Sequence, residues 1–150
     1  MLRKFIQVAV PFIWFGMIGA ISFMEAPLKF QAPGITLPLG LSVGRLIFFV
    51  LNKIEIVLAA IFLISLIGRQ TLGRVPVVIF GVIALILFAE TVWLLPVLDV
   101  RAEKVIAGTA EPFSNLHLVY IAFDAIKFIL LFVLGTLMFR RHVSRERYEN

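Results

Sequence analysis

His117, Tyr120, Asp124 and Lys127 are spaced i, i+3, i+7 and i+10. At about 100° per residue, a helix brings all four within roughly 80° of one another. Arg45, Asn52 and Glu55 form a second stripe with i, i+7, i+10 spacing. Both stripes lie in strongly apolar stretches, where a charge is costly. Ionisable groups at bilayer depth face a bundle interior, pair with one another, or line the path of a substrate or ion. The chemistry on offer is that of a polar solute or cation site. Glu55 and Asp124, joined by Glu90, supply negative charge; Asn52 and Tyr120 supply orienting hydrogen bonds; Lys127 supplies a tethered counter-charge.

The elements that must position these groups follow from composition. The chain has 150 residues, 61% of them hydrophobic, with a mean hydropathy of +1.06. A soluble domain is usually about 45–50% apolar. A membrane-spanning helix needs about 20 mostly apolar residues, and stretches 5–24, 42–67, 75–95 and 116–139 qualify. They leave no room for a separate soluble domain. The expected fold is all-α, a single integral membrane four-helix bundle over residues 1–150. Residues Arg3 and Lys4 before an apolar run would also suit a signal peptide. Pro11 and the ending Met24-Glu25-Ala26-Pro27 offer no A-x-A cleavage site, so a retained span is expected.

Charge sets the orientation. Arg3, Lys4, Arg69, Arg74, Arg140, Arg141, Arg145 and Arg147 would lie on one side, against Lys29, Arg101, Lys104 and Arg45 on the other. The positive-inside rule then makes both termini cytoplasmic, in an inner (plasma) membrane. The net charge of +5 follows from these flanking residues and gives no reason to expect nucleic acid as a partner. Residues 68–74 read as a short polar turn. Residues 25–41 hold Pro27, Pro33, Pro38, Gly34 and Gly40 among apolar side chains, which argues against a helix and for a lid over the bundle mouth. After Pro96, Asp99 and Glu103 at i, i+4 indicate a short surface helix that stops at Gly108, with Ser114 or Asn115 capping the last span. Arg140-Arg141-His142 opens a basic tail along the headgroups.

Magnitudes make the second span marginal alone. Its apolar residues contribute about −7 kcal/mol on the insertion scale, while Lys53 and Glu55 cost about 2.5–3.5 kcal/mol each near a helix centre. The helix is therefore expected to be held by partners. Lys53 and Glu55 point roughly 160° apart and do not pair with each other, so Lys53 needs an anion elsewhere, a water path, or neutralisation. At about 1.5 Å per residue, Asn52 lies ~15 Å below the outer surface, Asp124 ~12 Å, Lys127 ~17 Å and Glu90 ~9 Å. One cluster of Asn52, Glu55, Glu90, Asp124 and Lys127 is expected, with His117, Tyr120, Arg45, Glu25 and Asp99 at its mouth. It could be a buried network that sets helix register, a solute or ion site opening outward, or an interface for a larger complex. Gly16 and Ala20 form a small-x-x-x-small pair suited to close helix packing. Trp14 falls mid-span, whereas Trp93 suits an interfacial belt.

Other chemistry finds little purchase. There is no cysteine, which removes thiolate nucleophiles, disulfides and Cys-based metal sites. One histidine with scattered carboxylates is not a metal-ligand motif, and no serine sits in G-x-S-x-G. No cofactor, metal or enzymatic activity follows from the residues. The expected partners are the bilayer, a small solute, and either a homo-oligomer or a larger membrane complex.

Two resemblances bear on this reading. Ala26-Pro27-Leu28-Lys29-Phe30, Gly44-Arg45-Leu46-Ile47-Phe48, Leu98-Asp99-Val100-Arg101-Ala102 and Asn115-Leu116-His117 resemble a family of small four-span bacterial membrane proteins of unassigned function. Its distant eukaryotic relatives are vesicular proteins linked to platinum-drug resistance. The likeness covers about two-thirds of the chain and implies the four-span fold but no activity. Asn52-Lys53-Ile54-Glu55 is similar to the N-x-x-E element of the microsomal glutathione transferase family, which would imply a trimer binding glutathione. The arginines that hold the tripeptide's carboxylates in that family are represented here by Arg45 alone.

Overall fold

A computed structural model describes residues 1–67, 73–109 and 115–149, with side chains to His142. Residues 68–72 of the turn expected at 68–74, with Arg69, and the expected cap Ser114 lie outside the described residues, as do the side chains of Arg145 and Arg147; Arg74 already opens the next helix. The described residues are almost wholly helical and include four helices long and apolar enough to cross a membrane: α1 (Leu2–Gln31), α2 (Leu37–Leu66), α3 (Arg74–Ile106) and α4, whose apolar part is Asn115–His142. At a rise of about 1.5 Å per residue each exceeds 40 Å, longer than the ~30 Å hydrocarbon layer. All four are longer than the apolar stretches of the sequence, for a different reason at each end.

Proline does not end the helices here. α1 passes through Pro27 and α3 through Pro96 by opening a wide, π-type turn just upstream, at Gly19–Glu25 and Glu90–Leu94 respectively. A proline lacks its own N–H and crowds the carbonyl four residues back, and the widened turn accommodates both effects. The lid expected at 25–41 is therefore mostly helix, and only residues 32–36 are non-helical. Pro38 sits in the first turn of α2, where the missing N–H costs nothing, and the Thr36 side chain accepts from Leu39 N at 3.4 Å. Gly34 supplies the turn's left-handed conformation, with φ 83°. The separate surface helix expected after Pro96 is instead the end of α3, stopping as expected before Gly108 (φ 71°). The tail expected along the headgroups continues α4 to Glu149, and His142 is buried.

The helices form an up-down-up-down bundle in which α1 packs on α2 and α4, and α3 on α4 and the first half of α2. The core runs from Ile18 and Trp14 through Leu58, Phe62, Ile83 and Leu87 to Leu131, Leu134 and Met138. The α1–α4 seam is aromatic, with Phe15 stacked on Phe128 at 4.0 Å. Close approach uses other glycines than Gly16: a Cβ on Gly16 would meet nothing within 4 Å, whereas one on Gly19 or Gly135 would lie 3.0 Å from Phe128 or Phe12. At the end away from the termini, Gly40 and Gly44 accept Phe30 and Lys29, so the end of α1 does close over α2.

Candidate functional site: a buried four-helix ion cluster

Near mid-height all four helices contribute to one polar node. Glu90 is halfway along α3, about 24 Å from either end at the usual helical rise, and opens its π-type turn. Such turns recur at functional sites because they redirect side chains that a regular helix would aim elsewhere. Lys127 of α4 donates to Glu55 Oε1 at 2.7 Å and Glu90 Oε2 at 2.5 Å, and lies 2.9 Å from Asp124 Oδ1. From α1, Trp14 Nε1 donates to the same Glu55 oxygen at 2.7 Å. Glu55 and Glu90 are each 1% exposed, and Asp124 and Lys127 are fully enclosed.

The node is not balanced. Three carboxylates surround one ammonium, and one oxygen from each lies within 4.8 Å of the others. When all are ionised the node carries two excess negative charges, in surroundings where an uncompensated charge is expensive. Its acceptors are also under-used. Glu90 Oε1 is buried without a hydrogen-bond partner, while Asp124 faces the Lys127 ammonium through Oδ1 and the Tyr120 hydroxyl one turn away. One ammonium has three protons to give, and they do not reach every acceptor. By charge and by donor count, the node favours uptake of another cation or of protons.

The expected cluster is thus assembled from Glu55, Glu90, Asp124 and Lys127. Asn52 is buried one turn away, donating to Thr91 Oγ1 at 2.9 Å, and Thr91 in turn donates to Leu87 O at 2.7 Å. Tyr120, one turn from Asp124, is buried edge-on to Phe48 with ring centroids 5.2 Å apart. Arg45 is gripped by Asp99 (2.5 and 2.9 Å) and Glu103 (2.7 Å) at the end away from the termini. Glu25 pairs with Lys29 at 3.3 Å. His117 is exposed near the start of α4 and stays apart from the cluster. Arg45, the side chain that likeness to the glutathione-binding family would assign to the tripeptide's carboxylates, is engaged by the two acids of α3.

Residue typing alone overlooked two participants near the node, Trp14 and Thr91, and a set of contacts at the termini end. Trp14 is α1's contribution, and its mid-span place, wrong for an interfacial tryptophan, is the available clue. Thr91 looked like an ordinary helix residue. At the termini end, Gln7 Nε2 donates to Ser65 O at 2.9 Å, His142 Nε2 lies 3.0 Å from Gln7 Oε1, and Arg3 bonds Ile67 O at 2.8 Å. Gln7 and His142 are 135 positions apart, a separation that helix periodicity does not bridge. No family model, curated protein or solved structure matches the chain.

Proposed function

We propose that this chain is a multi-pass protein of a bacterial-type inner membrane, with both termini cytoplasmic, and that its mid-bundle node binds or passes a small cationic solute. The observation carrying this reading is the imbalance at the node: three buried carboxylates to one ammonium, with Glu90 Oε1 lacking a hydrogen bond. A cation arriving there competes with the Lys127 ammonium for the same oxygens. Lys127 holds the acids together when the site has no solute and gives way on its flexible stem when one enters.

The two ends of the bundle favour entry from the outer side. There the latch is Arg45 with Asp99 and Glu103, whose side chains are 28%, 51% and 60% exposed. Its acids are open to solvent, so breaking this latch exposes no apolar core. Toward the termini the route meets Phe62, Phe80, Leu134 and Met138, then the buried Gln7–Ser65–His142 contacts. Opening that end would expose apolar core and break buried hydrogen bonds together.

Trp14 is a built-in reporter, because it shares a Glu55 oxygen with Lys127. Trp93→Phe leaves Trp14 as the sole tryptophan. Titrating this variant with sodium, magnesium or methylammonium chloride should give a saturable change in emission for at least one of them. Adding Asp124→Asn with Glu90→Gln should abolish the saturation while the protein stays folded. A flat titration, or one that the double variant leaves unchanged, would reduce the node to a staple between helices.

A further inference from the structure

One charged side chain in the apolar part of α2 points away from the bundle. Lys53 is exposed, two positions from the buried Glu55 and on the opposite face. Its ammonium lies 5.1 Å from the centre of the Phe49 ring, and among the described residues no acid is paired with it. Around it, Leu46, Phe49, Val50 and Val57 are all more than half exposed. Beside this face runs a wholly apolar groove lined by Ile21, Leu46, Ile47, Val50, Leu51 and Ile54.

Depth decides what can neutralise it. Two polar landmarks bracket the apolar part of α2: Arg45 with its acids, and Ile67, whose carbonyl accepts from Arg3. They are separated by about 33 Å at the helical rise, close to one hydrocarbon layer. Lys53 is about 12 Å inside the Arg45 level by the same rise. An extended lysine reaches about 6 Å along the helix, toward its N-terminus. The ammonium therefore stops short of the level where lipid phosphates sit. A second copy is no better suited. Two α2 faces would bring lysine against lysine, and the described acids elsewhere are consumed in the node or pair with Arg45 and Lys29 at the far end.

We infer that the outward face of α2 around Lys53 docks a membrane-spanning helix of a different protein, one carrying an aspartate or glutamate at the depth of Lys53. The partner's carboxylate pairs with Lys53, and its neighbouring apolar side chains fill the groove between α1 and α2. Pairing inside the layer is what makes a lipid-facing lysine tolerable, since the alternative is an unpaired ammonium among acyl chains. The interface is independent of the cation site and stands whether or not the node binds solute.

The test is made on the full chain in its native membrane. A photo-crosslinking amino acid is placed at Val57, next to Lys53, in three backgrounds: unaltered, Lys53→Arg and Lys53→Leu. The expected adduct joins Val57 to a second polypeptide, and the crosslinked peptide is an apolar helix containing an acid. Lys53→Arg should retain it and Lys53→Leu should lower its yield about tenfold, with the amount of chain in the membrane as control. If the leucine variant fails to accumulate, Lys53→Gln makes the same comparison. Adducts with lipid alone, adducts with a second copy, or a yield indifferent to loss of the charge would each overturn the inference.

Discussion

Replacing Lys127 by methionine keeps the length of the side chain and deletes its charge. The variant leaves Glu55, Glu90 and Asp124 enclosed, with oxygens within 4.8 Å of one another and no cation between them. Breaking a buried ion pair by removing one partner costs about 3–5 kcal/mol, because the remaining charge is stranded. Here more than one charge is stranded, so the upper part of that range is expected. The same physics predicts rescue. Adding Glu55→Gln, Glu90→Gln and Asp124→Asn to Lys127→Met removes the stranded charges, and neutral replacements of a whole buried network are often harmless or stabilising by about 1–4 kcal/mol. Reversible unfolding in mild detergent, followed by Trp14 emission in the Trp93→Phe background, measures both. The signature is non-additivity: the quadruple variant should be more stable than Lys127→Met alone. A loss below ~1 kcal/mol for Lys127→Met, or acid neutralisations that add to its cost, would refute the view that the four groups act as one electrostatic unit.

Two further outcomes follow from the geometry. Arg45→Ala should cost about 1 kcal/mol, since the acids Asp99 and Glu103 that it leaves unpaired are more than half exposed; solute exchange at the node, read by the kinetics of the Trp14 signal, should accelerate, and unchanged kinetics would rule out a latch there. Gly16→Ala and Gly40→Ala should differ in sign. A Cβ on Gly16 meets nothing, so the variant should match or slightly exceed the parent through helix propensity; a Cβ on Gly40 falls 2.3 Å from the Phe30 ring, so thermal unfolding should show a loss of about 1–3 kcal/mol.

The sequence made the class of fold legible because bilayer physics leaves few choices. A chain so apolar, cut by short polar breaks into stretches near 20 residues, is expected to form helices, which satisfy their own backbone even in hydrocarbon. The same periodicity placed Asp124 and Lys127 on one face and set Lys53 opposite Glu55, since these relations need only one helix. Proline was misread as a boundary at Pro27 and Pro96. Its local rule is sound, but each helix widened by one turn instead of ending, and packing against α2 holds the continuation in place. Gly16 was misread in the same way: spacing shows that a small residue lies on a face, not what that face meets.

Only the tertiary structure decided which charges share a centre. Glu55 and Lys127 are 72 positions apart, and Trp14 and Glu55 41 apart. Their meeting depends on the rotation and height of four separate helices, including the extra rotation that the π-type turn gives α3 at Glu90. Helical spacing fixes an angle within one helix and carries no information about the angle of another. The sequence therefore determined that buried ionisable groups must find partners. The packed bundle determined that three acids found one lysine and that Lys53 was left facing outward.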